Sequence, residues 1–132
     1  MAVGDPRRDV VIGIGLDVVE IERFRTSLAR TPGLKTRLFR PEERAYAELR
    51  HDPTERYAVR FAAKEAVMKA LGCGIGEVAM FDIEVERAAS GAPSVRLHGS
   101  ALVKAGQLGV GYWLLTLTHT SRDAQAIAVA LA

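Results

Sequence analysis

The sequence has little cysteine and no long hydrophobic run. Cys73 is the one cysteine, so no disulfide can form within the chain. The longest early apolar run, Val10–Leu16, spans seven residues, far fewer than the ~20 that cross a membrane. No apolar stretch follows a basic start, as a secretion signal would require. These absences predict a cytoplasmic protein that does not enter membranes, with Val10–Gly15 as a buried strand.

The common phosphate-binding motifs are absent as well. The chain has no G-x-x-x-x-G-K-[ST] loop, and Val18 stands where the third glycine of a G-x-G-x-x-G fingerprint beginning at Gly13 would be. A dinucleotide site is therefore weakly supported. Asp17, with Glu20 three residues later, has the spacing of a helix cap with a capping box, and local spacing alone favours that interpretation.

The composition is that of an ordinary soluble globular protein. Hydrophobic residues make up 48% of the 132 residues and charged residues 26%, which is typical of a folded domain. A chain of this length fits one domain with a proper core, and we find neither a repeat nor a linker. We expect one domain over residues 1–132, with residues 1–8 flexible.

Helical patterns come early in the chain and strand patterns come late. Helices are predicted over residues 17–30, 41–49, 54–71 and 100–107, the last with a serine cap at Ser100. Strands are predicted over residues 10–15, 81–86, 94–97, 112–118 and 124–131. This order predicts an α+β fold, with an N-terminal strand and helices, one of them long and central, followed by a mainly antiparallel sheet.

The long central helix carries a lysine where a core residue is expected. Tyr57, Phe61, Met68 and Leu71 form an apolar stripe at helical spacing, and Lys64 falls on that stripe. Burying an ammonium without a counter-charge costs several kcal/mol. Lys64 must therefore either extend to solvent or meet an anion.

Two other charged residues of this helix have a simple structural explanation. Glu65 and Lys69 are four residues apart in the favourable orientation, which fits a surface ion pair worth about 0.2–0.5 kcal/mol. Between Arg23 and Arg44 the chain carries a local excess of basic residues. A solvated helix face explains that excess from composition alone, and attraction of an acidic partner is the alternative.

Two segments closely resemble the signature segments of the 4′-phosphopantetheinyl transferases. They are Gly13-Ile-Gly-Leu-Asp17-Val-Val-Glu-Ile21 and Arg60-Phe-Ala-Ala-Lys-Glu65-Ala-Val-Met-Lys69-Ala-Leu-Gly72, and the match is best to the short holo-[acyl-carrier-protein] synthase type. The resemblance implies transfer of the phosphopantetheine arm of coenzyme A to a serine of an apo acyl carrier protein. It further implies a requirement for Mg²⁺ and release of adenosine 3′,5′-bisphosphate.

The resemblance also implies roles for particular residues. Asp17 and Glu65 would bind Mg²⁺, Glu65 or Asp17 would take the serine proton, and Lys69 would stabilise or protonate the leaving phosphate. The residues implied in coenzyme A binding are Arg60, Lys64, Gly91, Pro93, Thr118 and His119. One departure stands out, because Ala92 occupies the place of a basic residue that the family uses at the nucleotide end.

The partners follow from the same resemblance. Acyl carrier proteins present an acidic helix, so Arg23, Arg30 and Arg37 are expected to dock the carrier. Family members of this length are homotrimers with active sites at subunit interfaces, which we expect here.

A non-catalytic module that binds coenzyme A or an acidic protein is the alternative function, supported by Ala92. Nucleic-acid binding is not expected, because aromatic residues are scarce in the basic region.

Overall fold

A computed structural model describes residues 10–74 and 76–132, so the flexibility predicted for residues 1–8 lies outside the described part. The strands are β1 (Val11–Glu20), β2 (Ile83–Arg87), β3 (Pro93–Leu97), β4 (Tyr112–His119) and β5 (Asp123–Leu131). The helices are α1 (Ile21–Arg30), α2 (Leu34–Leu38), α3 (Pro41–Ala47), α4 (Thr54–Ala70) and α5 (Gly99–Leu108). None of the helices in these ranges is long and apolar enough to cross a bilayer.

The strands form two antiparallel sheets. One has the order β1-β5-β4, and the other is the β2-β3 hairpin. Helix α4 packs against β1 and β5, so its 17 residues are buried along much of their length. The predicted α+β fold with a long central helix and a mainly antiparallel sheet is confirmed.

Strand β1 is longer than predicted, and the predicted cap at Asp17 is wrong. Asp17 pairs with Ala126 of β5, and the ladder continues as far as Glu20. The helix starts only at Ile21, and no side chain caps it. The backbone bonds to β5 hold this segment extended, so long-range pairing overrides the local capping signal.

Two glycines allow α4 to approach β1 closely. A Cβ on Gly13 would lie 1.8 Å from the carbonyl oxygen of Ala70, and one on Gly15 would lie 1.8 Å from that of Ala66. Only a residue without a side chain fits where two backbones come this close. The glycines of the first signature segment therefore serve helix–strand packing.

Aromatic residues join α1 to the first half of α4. The rings of Phe24 and Phe61 stack with their centroids 4.9 Å apart, and those of Phe39 and Tyr57 lie 4.8 Å apart. Phe39 and Tyr57 are fully buried. This cluster fixes α1 beside the helix that carries Arg60, Glu65 and Lys69.

The predicted serine cap of α5 is also wrong. The N-cap position is His98, without a side-chain capping bond. Ser100 instead donates from its Oγ to Asp82 Oδ2 at 2.6 Å and accepts a hydrogen bond from the Ala79 amide at 3.0 Å. The serine therefore ties α5 to the segment before β2, because the half-buried carboxylate of Asp82 lies within its reach.

Candidate active site

A cleft beside α4 gathers acidic residues from three elements. Four carboxylates line it together with Arg23, Phe24 and Phe61, and we call it the carboxylate cleft. Its acidic residues are Asp17, Glu20, Glu65 and Asp123. Asp17 reaches it from β1 because its side chain points to the α4 side of the sheet. The structure thus brings together the two carboxylates predicted to bind a metal.

Lys69 lies at one edge of this arrangement. Its ammonium donates to Asp17 Oδ1 at 3.0 Å and to the Leu16 carbonyl at 2.9 Å. The Lys69 side chain is 53% exposed and that of Asp17 is 17% exposed. The predicted ion pair between Lys69 and Glu65 is replaced by one between Lys69 and Asp17, because the strand brings a carboxylate closer.

Glu65 carries a charge that the protein does not neutralise well. Burial raises its pKa, the nearby charge of Asp17 raises it further, and Lys69 opposes the shift. Within the described residues Glu65 makes no ion pair. A carboxylate with a raised pKa is a better proton acceptor near neutral pH than an ordinary one, and it is also a place where a cation would be stabilised.

The donors in the cleft suit a hard divalent cation. Asp17 and Glu65 supply oxygen ligands from two separate elements. In residues 10–74 and 76–132 no group of three or more histidine, cysteine or acidic residues is arranged to enclose a metal. A cation here would need water or substrate oxygens for its remaining positions, which is how Mg²⁺ is usually bound.

The structure corrects the predicted phosphate contact of Lys64. The side chain is fully buried, and its ammonium donates to Glu43 Oε1 at 2.8 Å, to the Met80 carbonyl at 3.1 Å and to the Ile83 carbonyl. Burial lowers its pKa while Glu43 opposes that shift. Lys64 does meet an anion, as its position required, but the anion is a buried glutamate of α3.

A second pocket lies on another side of α4 and is rich in arginine. We call it the arginine pocket, and its lining residues include four of those predicted to bind coenzyme A. These four are Arg60, Gly91, Pro93 and His119. They come from α4, the β2-β3 turn, the start of β3 and the end of β4, so the fold assembles them from distant parts of the chain.

Arg60 is a deeply buried arginine of this pocket. It is 5% exposed, and its Nε has no hydrogen-bond partner within the described part of the chain. Burial lowers the pKa of Arg60, although an arginine stays protonated. Its guanidinium lies 4.3 Å from the centre of the Tyr46 ring. A buried guanidinium with a free donor marks a position for an anion.

The two residues predicted at the end of β4 are placed differently. His119 lines the arginine pocket and its Nε2 lies 3.3 Å from Glu55 Oε1. Thr118 pairs with Gln125, which in turn pairs with Val18, so Thr118 points to the outer face of the sheet. The chain alone does not bring Thr118 to the other predicted coenzyme A residues.

Sequence reasoning missed three residues of the arginine pocket. Arg56, Arg87 and Tyr46 all line it, and the guanidinium of Arg56 lies 4.0 Å from the Tyr46 ring centre. Arg56 precedes Arg60 by four residues, which places both on one helix face. That spacing was a usable signal for Arg56, whereas nothing local connects Tyr46 or Arg87 with them.

The arginines predicted to dock a carrier are exposed and have no acidic partner among the described residues. Arg30 and Arg37 are solvent-exposed, as is Arg23, which also lines the carboxylate cleft. By contrast, two other cations of this region are paired within the chain: Arg25 binds Asp52 at 2.7 Å, and Lys35 binds Glu48 at 3.0 Å. The predicted set is thus available to an external acidic surface.

The chain that carries these two pockets is similar to a known class of protein. Residues 13–130 match the sequence profile of the 4′-phosphopantetheinyl transferase superfamily, and the chain belongs to that family. Its resemblance to the family, inferred from the two signature segments, is confirmed.

Within the family, the similar proteins are holo-[acyl-carrier-protein] synthases. The one from Moorella thermoacetica is 47% identical over 115 residues, covering 87% of this chain and 90% of its own. The crystal structure of the Neisseria meningitidis synthase matches with a TM-score of 0.83 at 29% identity, covering 93% of this chain and 100% of that one. The Helicobacter pylori synthase in complex with coenzyme A matches with a TM-score of 0.78 at 28% identity, covering 89% and 98%.

Proposed function

We propose that this chain is a holo-[acyl-carrier-protein] synthase. It transfers 4′-phosphopantetheine from coenzyme A to a serine of an apo acyl carrier protein and releases adenosine 3′,5′-bisphosphate. The observation that carries the proposal is the carboxylate cleft, where Asp17, Glu65 and Lys69 meet from β1 and α4. Similarity to synthases over most of the chain supports it, as does the relative that binds coenzyme A.

The reaction is an attack of the serine oxygen on the phosphorus that bears the pantetheine arm. A P–O bond to the serine forms, and the bond from that phosphorus to the bridging oxygen of the pyrophosphate breaks. Glu65 takes the serine proton, which its place in the carboxylate cleft beside Asp17 allows. Asp17 is the second candidate for this role, although its Oδ1 is engaged by Lys69.

Lys69 acts on the leaving group. Its ammonium is held by Asp17 Oδ1 and the Leu16 carbonyl, which orients it at the edge of the cleft while leaving it about half exposed. From there it donates to the phosphate that departs and stabilises its developing charge.

Asp17 and Glu65 would hold the Mg²⁺ ion that we propose as cofactor. When bound, Mg²⁺ neutralises charge on the phosphoryl group and on the leaving phosphate. The position of Glu65, partly buried beside the charge of Asp17, supports this assignment. We propose the cytoplasm as the site of action and residues 1–132 as one transferase domain. We further propose fatty-acid biosynthesis as the process that the protein serves.

We propose that the active protein is a homotrimer with its active sites between subunits. The outer face of the β1-β5-β4 sheet exposes Ile14 by 66%, Leu16 by 53%, Val18 by 54% and Leu114 by 56%. An apolar face of this kind usually packs against another protein surface. Such packing would also bring Thr118, on the same outer face, toward a neighbouring chain.

The arrangement around α4 supports shared active sites. Arg60 and Glu65 are five residues apart, which separates them by about 140° around the helix axis. The arginine pocket and the carboxylate cleft have no lining residue in common. A neighbouring copy could place the arginine pocket of one chain beside the carboxylate cleft of the next, so that one coenzyme A spans both.

Substitution of Ile14 by glutamate tests the trimer. We expect the sedimentation mass to fall from three chains to one, because a charge on the apolar face opposes its burial. The control is Leu49→Glu, which places the same charge on a leucine that is 78% exposed outside this sheet. A wild-type chain that sediments as a monomer at micromolar concentration would rule out the trimer.

The carrier docks, we propose, on the exposed arginines of α1 and α2. For Arg23→Glu we expect weaker binding of the acidic carrier, by about tenfold at low salt, with little change in the affinity for coenzyme A. The difference should shrink as salt screens the charges. Carrier KM values at two ionic strengths measure this, and an unchanged KM at low salt would show that another surface docks the carrier.

Mass spectrometry of the carrier tests the function directly. The purified chain is mixed with coenzyme A, Mg²⁺ and an apo acyl carrier protein, and the carrier is weighed. A gain of the phosphopantetheine mass is the expected result. Binding of coenzyme A without any gain would instead indicate the non-catalytic module, which the relatives do not support.

A further inference from the structure

Arg87 reaches over the turn that lacks a basic residue. It is the last residue of β2 and pairs with Pro93 of β3, so Gly91 and Ala92 lie in the turn between them. The Arg87 Nη2 atom lies 3.3 Å from the position that a Cβ on Gly91 would occupy. A cation from the strand therefore covers the turn in which Ala92 carries none.

Three guanidinium groups gather around one aromatic ring beside this turn. Those of Arg56, Arg60 and Arg87 lie 4.0, 4.3 and 4.9 Å from the centre of the Tyr46 ring. Tyr46 fixes Arg87 by accepting a hydrogen bond on its Oη at 2.5 Å. Contact with one ring holds the three planar groups close to one another.

The three arginines are not paired with acidic side chains, although Arg60 and Arg87 share a neighbouring pocket with Glu42, Glu43, Glu84 and Glu86. None of the three arginines forms an ion pair with a carboxylate within residues 10–74 and 76–132. Like charges this close repel one another, and the buried Arg60 Nε still lacks a partner. Glu55 is the acidic residue lining the pocket, and its Oε1 faces His119. An anion from outside would satisfy all three arginines at once.

Building on the proposed function, we propose that Arg87 binds the 3′-phosphate of coenzyme A and thereby replaces the cation missing at position 92. A phosphate monoester carries a charge of about −1.5 to −2 and three acceptor oxygens, which suits several guanidinium donors. The phosphates of the pyrophosphate bridge carry less charge each. Arg87 therefore makes the chain discriminate coenzyme A from 3′-dephospho-coenzyme A.

Kinetics with these two substrates test the proposal. For Arg87→Ala we expect the KM for coenzyme A to rise about 10- to 100-fold with kcat little changed, and the KM for 3′-dephospho-coenzyme A to stay as it was. Adding Ala92→Lys to that variant returns a cation to the turn and should restore part of the preference. The control is Arg96→Ala on β3, because Arg96 pairs with Glu86 at 3.3 Å and does not line the arginine pocket.

Calorimetry measures the binding of nucleotides directly and does not depend on transfer of phosphopantetheine to a carrier. The Arg87→Ala variant should bind adenosine 3′,5′-bisphosphate more weakly than wild type and adenosine 5′-monophosphate equally well. An equal rise in KM for both substrates, or unchanged binding of the bisphosphate, overturns the role of Arg87. A wild-type chain that binds the bisphosphate but modifies no carrier contradicts the proposed transferase function instead, and the calorimetry still decides the phosphate contact.

Discussion

Replacing Glu65 with glutamine should lower the rate of carrier modification by about 10³-fold or more. The change removes the proposed proton acceptor, and such a group typically contributes 10²–10⁴-fold. It also removes one of the two proposed Mg²⁺ ligands. The substitution is nearly isosteric, and Glu65 makes no ion pair within the described residues, so the fold should persist. The rate of holo-carrier formation, followed by mass spectrometry, measures the effect.

A matched control separates this loss from a general charge effect. Glu22→Gln makes the same change on α1, outside the carboxylate cleft, where Glu22 pairs with Arg25 at the surface. We expect that variant to retain near-normal turnover, and both variants to keep the circular dichroism spectrum of the wild type. Near-normal turnover in Glu65→Gln with the same Mg²⁺ requirement would refute the assignment of Glu65.

Replacing Gly15 with alanine should destabilise the fold by about 2–3 kcal/mol or more. The new Cβ would lie 1.8 Å from the Ala66 carbonyl oxygen, and this contact is with backbone, so no side chain can move aside. Overpacking in a well-packed core typically costs 1–3 kcal/mol and occasionally more. Because α4 would have to shift away from β1, transfer activity should also fall. Urea denaturation gives the free energy of unfolding.

Gly106 provides a control of opposite sign. It lies within α5, and a Cβ there would meet no atom within 4 Å. Alanine at that position should stabilise the protein by about 0.5–1 kcal/mol, because glycine is costly inside a helix. A loss of stability for Gly15→Ala no larger than that for an exposed substitution would show that α4 can move away from the strand at little cost.

Much of the fold was predictable because its helices and later strands have clear local periodicity. The predicted helices over residues 41–49 and 54–71 correspond to α3 and α4, and the predicted hairpin over residues 112–131 corresponds to β4 and β5. The prediction failed at Asp17, where the local pattern of a cap competed with pairing to a strand more than a hundred residues away. Short helix α2 was missed because its five residues are too few to show a period.

The candidate site was predictable only where a motif encoded it. Asp17, Glu65 and Lys69 meet in the structure as the two signature segments implied. Lys64 shows the limit of that reasoning, because the pattern required an anion near it but could not say that Glu43 of α3 supplies one. The arginines around Tyr46 were not predictable as a set, since α3, α4 and β2 meet only after folding.

The contact of α4 with the two glycines of β1 determines how the reacting groups are spaced. The main chains of helix and strand touch there directly, so the separation between the acid on the strand and the acid on the helix is set by backbone atoms. Core side chains elsewhere could be exchanged without changing that separation. An enzyme built in this way needs no moving loop to bring together the two acids that we propose for catalysis. Their spacing persists for as long as the helix and the strand stay packed against each other.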